Sequence, residues 1–228
     1  MNIPKISKRL EVAASFVRKG ARIADIGTDH AYLPIYLYLC GAVSGGVVSD
    51  INVGPVARAT ENLREYGCQK PFAAQRADGL CGVLAYEVDD IFILGMGGEL
   101  IVKILDAEPK IRDGRYRLIL QPMTHPEILR KYLLSSGFSI IAERIVSEDK
   151  LYQIICAQYT GHKEEADDFE LCFGKLNLEC RSPELCELLI HAKKVYSDRV
   201  DGKKLAGADA GYELKMIEKI DAFLKEED

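Results

Sequence analysis

The run Arg22-Ile23-Ala24-Asp25-Ile26 is largely apolar and stops on Gly27. Such a run suits a strand buried on both faces, which is the situation of a strand inside a parallel sheet. The residues that follow, Thr28-Asp29-His30-Ala31-Tyr32-Leu33-Pro34, are polar at first and then helix-like. A strand that hands over to a helix through a glycine is the unit of nucleotide-binding α/β sheets. Gly27 accepts backbone angles that other residues avoid, and without a Cβ it lets a ligand approach the turn. The unpaired N–H groups at the start of the helix then favour an anionic or carbonyl-bearing ligand end.

The same hand-over recurs along the chain. Strands are expected at 22–26, at Gly45–Ser49 ending in Asp50, at Phe72–Arg76, at Val88–Leu94 and at Arg117–Leu120. Apolar residues at helical spacing predict helices over 5–18 with Ser7 as N-cap, 31–40, 53–66, from Leu100 onward and 126–135. Two further β-rich segments, 138–146 and 152–159, flank the polar Ser147-Glu148-Asp149-Lys150 and read as a hairpin-like pair. Five strands with helical crossovers and then a hairpin is the order of a Rossmann-like methyltransferase sheet. A dehydrogenase would more usually continue with another βαβ unit.

Gly161–Asp168 is polar and charged, which makes it the linker candidate. Beyond it, Leu185, Leu189, Ala192 and Tyr196, and then Leu214, Ile217, Ile220 and Leu224, predict two helices packed as an antiparallel pair. The expected domains are therefore 1–161 and 162–228. A pair of helices is too small for a core of its own and should lean on something.

Composition excludes some classes. No apolar run approaches the ~20 residues of a membrane helix, and the first residues lack the apolar core of a signal peptide. Seven cysteines without a Cys-x-x-Cys pair suggest reduced thiols and a cytoplasmic protein. Cys172, Cys180 and Cys186 fit no usual zinc spacing, so no metal is expected, and no obligate protein partner is evident. The net charge of -5 is unevenly placed. Residues 1–22 carry six basic residues against Glu11, whereas residues 162–228 carry 11 basic and 17 acidic ones. Lys5, Lys8 and Arg9 are either a phosphate-docking patch or a solvated helix face.

Several residues carry two readings each. Asp50 lies 23 residues after Gly27, close to the spacing at which a carboxylate meets ribose hydroxyls, and it could equally cap the next helix. Asp78-Gly79 is a turn signal or places an acceptor for the exocyclic amine of a purine. Gly95-Met96-Gly97-Gly98 is a ligand crevice at the end of a central strand, or a tight strand-to-helix turn. His30 is a structural histidine or a group that positions a substrate.

Taken together, Ala24-Asp25-Ile26-Gly27-x-Asp29-His30-Ala31-x-Leu33-Pro34, Asp78-Gly79-Leu80, Gly95-Met96-Gly97-Gly98 and Arg117-Leu118-Ile119-Leu120-Gln121-Pro122 resemble the bacterial tRNA (adenine-22-N1)-methyltransferase family. The resemblance spans about residues 5–160, and the helical pair matches that family's C-terminal coiled-coil domain. The chain departs from the pattern at Met123, where asparagine is expected, and at Ala77, where glycine is commoner.

The resemblance implies a Rossmann-like class I methyltransferase that uses S-adenosylmethionine and releases S-adenosylhomocysteine. It implies Asp25, Gly27 and Asp29 around the methionine end, Asp50 with Ile51 at the ribose, and Asp78 with Gly79 at the adenine amine. Gly95 and Met96 would lie near the adenine ring, with Gly97 and Gly98 facing the transfer cleft. Methyl transfer to N1 of adenine needs no prior proton removal, because that nitrogen has a free lone pair; positive charge moves from sulfonium to base. Asp29 is therefore expected to act electrostatically, with His30 and Tyr32 positioning or stacking the base. N1 lies on the Watson–Crick edge, so the adenine must be unpaired or extruded. The tRNA body is expected to dock on Lys5, Lys8 and Arg9, and on the helical pair if Lys193, Lys194, Lys203 and Lys204 share one side. Competing readings are a silent RNA-binding module that keeps the fold, and a methyltransferase for a small molecule or a protein. A nicotinamide enzyme is disfavoured by the missing fingerprint glycines.

Overall fold

The computed structural model describes residues 3–225. The chain forms two compact units with the boundary between Glu165 and Ala166. That is later than the expected break after Gly161, and the backbone explains why. Thr160 N and Gly161 N donate to Gly137 O, and Glu164 N donates to Leu134 O, so the polar stretch remains tied to the first unit.

The first unit is built on a sheet of seven strands in the order β3-β2-β1-β4-β5-β7-β6. Strands β1 (Ala21–Ile26), β2 (Val43–Asp50), β3 (Phe72–Arg76), β4 (Asp90–Met96) and β5 (Arg117–Pro122) run parallel. The hairpin of β6 (Phe138–Ser147) and β7 (Leu151–Tyr159) adds antiparallel to β5. Alternate residues serve opposite layers, as the two-residue strand period requires. Ile23, Val48, Phe92 and Ile119 face one core, which holds Ala13 of α1 (Lys8–Ala14), Leu33 of α2 (Tyr32–Leu39) and Leu63 of α3 (Val53–Glu65). Ala24, Ile26, Ile91, Ile93, Leu118 and Leu120 face the other, with Ile101 of α4 (Gly98–Asp106) and Leu129 of α5 (Pro126–Ser135). β1 and β2 approach closely because Gly46 lacks a side chain: a Cβ there would meet Ile23 O at 1.8 Å.

Three local differences from the sequence reading have physical causes. Helix α1 begins at Lys8, after Ser7, whose hydroxyl accepts from Leu10 N, and it ends at Ala14 rather than near residue 18. The chain turns at Ser15 so that Arg18 can clamp Asp90 from Nε (2.7 Å) and backbone N (2.7 Å). Strand β4 continues through Gly95 to Met96, with a register shift against β5 between Leu94 and Met96. Finally, the Arg18 side chain holds Asp90 and the Arg22 side chain donates from Nε to Tyr86 O (3.1 Å), so the six basic residues near the N-terminus do not form one face.

A buried polar knot fixes α5 on the hairpin. Arg130 Nε donates to Glu143 Oε1 (2.7 Å) and Arg130 Nη2 to Gln153 Oε1 (2.6 Å). Arg130 and Glu143 are each 1% exposed.

The second unit contains α6 (Asp168–Phe173), α7 (Lys175–Cys180), α8 (Pro183–Leu205) and α9 (Gly211–Lys225). The expected pair is α8 and α9, which run antiparallel: Lys203 pairs with Glu213 (2.8 Å) and Lys193 with Asp221. Helices α6 and α7 are additional, and α6 opens on a capping box between Asp167 and Glu170. They supply what the pair leans on, since Phe169 packs against Phe173 (5.0 Å) and Phe223 (6.0 Å). With Lys193 and Lys203 bound to acids of α9, the four lysines do not make a bare basic side.

Candidate active site

The order of the sheet reverses between β1 and β4, where open α/β sheets leave a crevice at their carboxyl edge. Gly27 turns the chain there with φ +76. Its N–H and that of Thr28 donate to Ser49 O (2.8 and 3.0 Å), which folds the turn over the end of β2. A Cβ on Gly27 would lie 2.1 Å from the Met96 methyl, so Met96 closes over the turn from β4.

Thr28 is buried and holds two neighbours. Its hydroxyl accepts from Ala31 N (3.1 Å) and donates to the Asp25 carboxylate. Burial pushes Asp25 up to about 6, against the opposing pull of the Thr28 hydrogen bond. Asp29 has the opposite environment. It is exposed, receives Arg58 Nε at 3.1 Å and a second bond from Arg58 Nη2, and lies 3.2 Å from His30 Nε2. The Arg58 hydrogen bonds hold its carboxyl below the usual range; desolvation is the next influence and opposes them, and the charges of His30 and Arg58 add to the lowering. Ala31 adopts a left-handed conformation (φ 56) just before α2, and the rings of His30 and Tyr32 lie stacked at 5.3 Å and 10°.

These groups share an open cleft of about 290 Å3, lined among others by Arg9, Asp25, Gly27, Asp29, His30, Tyr32 and Gly95. Asp78 and Gly79 line a second cavity, of about 490 Å3, with Leu100, Lys103 and Ile104. Asp50 belongs to the lining of neither and ends β2. Its Oδ1 accepts from Asn52 N at 2.7 Å, and Asn52, not Asp50, stands at the cap position of α3. The capping alternative for Asp50 is thus replaced by a short turn that leaves its second oxygen for another donor. Ile51 beside it is half exposed, with its carbonyl accepting from Arg76 Nε (2.8 Å).

Gly97 precedes α4 in an extended conformation. Gly98 does not face the cleft: it is buried, its N–H donates to Thr124 O (2.8 Å), and a Cβ would meet His125 O at 2.3 Å. Lys5 and Lys8 are exposed, and Lys8 Nζ reaches Ser147 O at 3.4 Å. Arg9 departs from that patch and enters the cleft. Two participants are given no role by the sequence, although Gln121 stands in the last of the four motifs. Arg58 lies 29 residues from its partner Asp29, with no local motif to announce it. Gln121, fully buried, accepts from both Arg9 Nη1 and Gly95 N (3.1 Å).

The donor set fits a nucleoside that carries an amino-acid tail. The turn at Gly27 has no side chain of its own, Asp25 offers a buried carboxyl, and Asp50 keeps an oxygen for a hydroxyl. Ser49 Oγ, at the same strand end, is buried without a hydrogen-bond partner. Among the described residues no group of three His, Cys, Asp or Glu side chains could hold a metal ion. No helix among them is long and apolar enough to cross a membrane.

Comparison with known proteins agrees with this geometry. A methyltransferase-domain family profile matches residues 6–155. The chain is 38% identical over 177 residues to the tRNA (adenine(22)-N(1))-methyltransferase of Bacillus subtilis (strain 168), covering 77% of this chain and 74% of that protein. The Streptococcus pneumoniae Sp1610 structure in complex with S-adenosyl-L-methionine superposes with a TM-score of 0.86 at 31% identity, over 96% of this chain and 100% of the other. M. capricolum TrmK in complex with S-adenosyl-homocysteine gives a TM-score of 0.78 at 25% identity, over 96% of each chain. Fold, cleft and sequence kinship agree: this chain belongs to the tRNA (adenine(22)-N(1))-methyltransferase family.

Proposed function

We propose that the cleft at the carboxyl edge of β1 and β4 is where this S-adenosylmethionine-dependent enzyme methylates N1 of adenine 22 in tRNA. The observation that carries the reading is the meeting, in one cleft, of a buried acid at a side-chain-free turn with an exposed carboxylate and two stacked rings. When bound, the cofactor supplies an electrophilic methyl group on a sulfonium. Asp25 and Gly27 are assigned to its amino-acid end, Asp50 and Ile51 to its ribose, Gly95 and Met96 to its adenine together with Asp78 and Gly79, which line the second cavity, and Gly97 to the transfer cleft.

Adenine N1 would receive that methyl through its free lone pair, so the residues of the cleft need supply no general base. Positive charge thereby arrives on the base without removal of a proton. Asp29 faces that charge as a carboxylate, kept ionised by Arg58 and His30. Fixed charge aimed at charge developing in the transition state is among the larger catalytic effects. His30 and Tyr32 offer a flat surface against which an extruded purine stacks. Lys5 and Lys8 are assigned to backbone phosphates of the tRNA, and the tRNA substrate supports assigning the work to the cytoplasm.

The test is transfer of a labelled methyl group from S-adenosylmethionine to unmodified tRNA, with the product mapped by nucleoside analysis. 1-Methyladenosine at position 22 is expected. Asp29→Ala should lower transfer on the order of 100-fold or more while tRNA binding persists. Absence of transfer to several matched tRNAs, or an unaffected Asp29→Ala enzyme, refutes the reading.

A further inference from the structure

Three turns stand side by side at the carboxyl edge of the sheet, because β1, β4 and β5 are parallel neighbours. The turn after β1 brings the stacked rings of His30 and Tyr32. The middle turn, Gly95-Met96-Gly97, carries a single side chain. The turn after β5, Met123-Thr124-His125, flanks it on the other side. It is tied to the middle turn twice: Met123 N donates to Met96 O (2.8 Å) and Gly98 N to Thr124 O (2.8 Å). A Cβ on Gly97 would come within 3.1 Å of Thr124 Oγ1, so the two turns touch. His125 completes the β5 turn with a left-handed backbone (φ 53), which a residue other than glycine keeps where its surroundings enforce it.

Met123 is 42% exposed. Single exposed apolar side chains are ordinary, but this one is tethered. The amide Nε2 of Gln121, a fully buried residue, lies 3.4 Å from Met123 Sδ. The same Gln121 accepts from Gly95 N (3.1 Å) and from Arg9, two residues that line the cleft. The thioether therefore stands at the rim of that cleft, across the bare β4 turn from His30 and Tyr32. A purine extruded onto those rings rests one face on them and leaves its other face open. A polarisable thioether is favourable against an aromatic face. It has no strong donor or acceptor, so it suits the ring face and not the hydrogen-bonding edge.

We propose that Met123 packs on the target adenine, on the face turned away from His30 and Tyr32, and is a substrate-contacting residue of the methyl transfer. The proposal rests on the cleft being where that adenine is held.

The test compares the binding of two tRNAs by the full chain with S-adenosylhomocysteine present: one with adenine at position 22, one abasic there. The ratio of the two affinities, at one fixed salt concentration, isolates what the protein gains from the base. Met123→Ala should shift that ratio against the intact tRNA by about 3- to 10-fold, the range of a thioether–ring contact. Its affinities for the abasic tRNA and for S-adenosylhomocysteine should stay within about twofold of wild type, because the truncated side chain is exposed. Met123→Leu, apolar and of similar volume, should hold the wild-type ratio within about twofold. Should Met123→Ala fail to fold, Met123→Gln, which keeps the length but not the apolar end, takes its place with a shift in the same direction. Tyr32→Ala is measured alongside, since loss of its ring should also count against the intact tRNA. A ratio that Tyr32→Ala moves and Met123→Ala does not overturns the proposal and leaves the cleft as the base pocket. Equal weakening of both tRNAs by Met123→Ala overturns it too, and assigns Met123 to the RNA backbone. A ratio that neither substitution moves takes the base out of the cleft, and the reading beneath the proposal falls with it.

Discussion

Replacing Asp25 by asparagine should make the protein more stable above neutral pH and less able to bind its cofactor. Burial raises the Asp25 carboxyl from 3.8 to about 6. A raised acid destabilises the fold when it ionises, so the handicap is absent below the ordinary pKa, grows through the interval between the two values, and is complete above the higher one. A tenfold change in proton affinity is worth ~1.4 kcal/mol, so the handicap amounts to ~3 kcal/mol near pH 8 and ~1 kcal/mol near pH 4.5. Asparagine does not titrate and keeps an oxygen for the Thr28 hydroxyl. Its altered packing adds an offset that does not depend on pH, so the informative quantity is the change in the gap between the two proteins. Urea unfolding of both, at about pH 4.5 and about pH 8, should show the variant gaining ~2 kcal/mol relative to wild type across that interval. Parallel pH profiles, or a gap that closes toward alkaline pH, would refute the burial argument. Calorimetry on the same samples completes the test, because the more stable variant should bind S-adenosylhomocysteine more weakly. A destabilising carboxyl retained in a cleft is what a binding role for it predicts.

Other perturbations probe separate parts of the molecule. Arg58→Ala removes the main influence holding Asp29 down, so the acid limb of the kcat–pH profile should move to higher pH; a profile that stays in place sinks the assigned pairing. Arg130→Met leaves Glu143 buried without its guanidinium and should lower unfolding stability by ~3–5 kcal/mol, with little effect on cofactor affinity in the fraction that remains folded. Gly98→Ala drives a methyl group against the backbone oxygen of His125, and overpacking of this kind costs ~1–3 kcal/mol, visible as a lowered Tm. Gly27→Ala meets only the movable Met96 methyl, so its strain should be confined to the left-handed backbone, ~1–2 kcal/mol, while cofactor binding suffers more than stability.

What can be read from the chain is local. The apolar run before Gly27 and the Ser7 cap are each written within a few neighbouring residues, and both form as expected. Helices α6 and α7 are six residues apiece, too short to display a helical period, and the sequence does not announce them. Gly98 falls outside the cleft, against expectation, because a glycine looks the same in sequence whether a ligand or another segment's carbonyl lies against it; here it is His125 O. The interactions that tune the site span long separations: 29 residues from Asp29 to Arg58, and 112 from Arg9 to Gln121. Nothing periodic marks such pairs, since the register of different strands and helices brings them together.

Asp25 and Asp29 show what that long-range placement achieves. They are the same residue type, four positions apart, at the two ends of one turn. Asp25 is withdrawn under Thr28 and titrates close to neutrality; Asp29 projects into solvent, and Arg58 keeps it charged far below neutrality. Environments that push like groups apart are how one site assigns them different work. A carboxylate that must face a positively charged base throughout turnover has to resist protonation, which only Asp29 does. A carboxyl meant to receive an ammonium ion gains from being desolvated, because the pair is then stronger than in water, and that describes Asp25. Removing both sets of neighbours, by Thr28→Val and Arg58→Ala together, should push Asp25 higher still and let Asp29 rise toward the ordinary carboxylate range: cofactor binding would weaken sooner as pH falls, and transfer at acid pH would fall away. If both dependences stayed as in the wild type, the separation of roles would not lie in these neighbours.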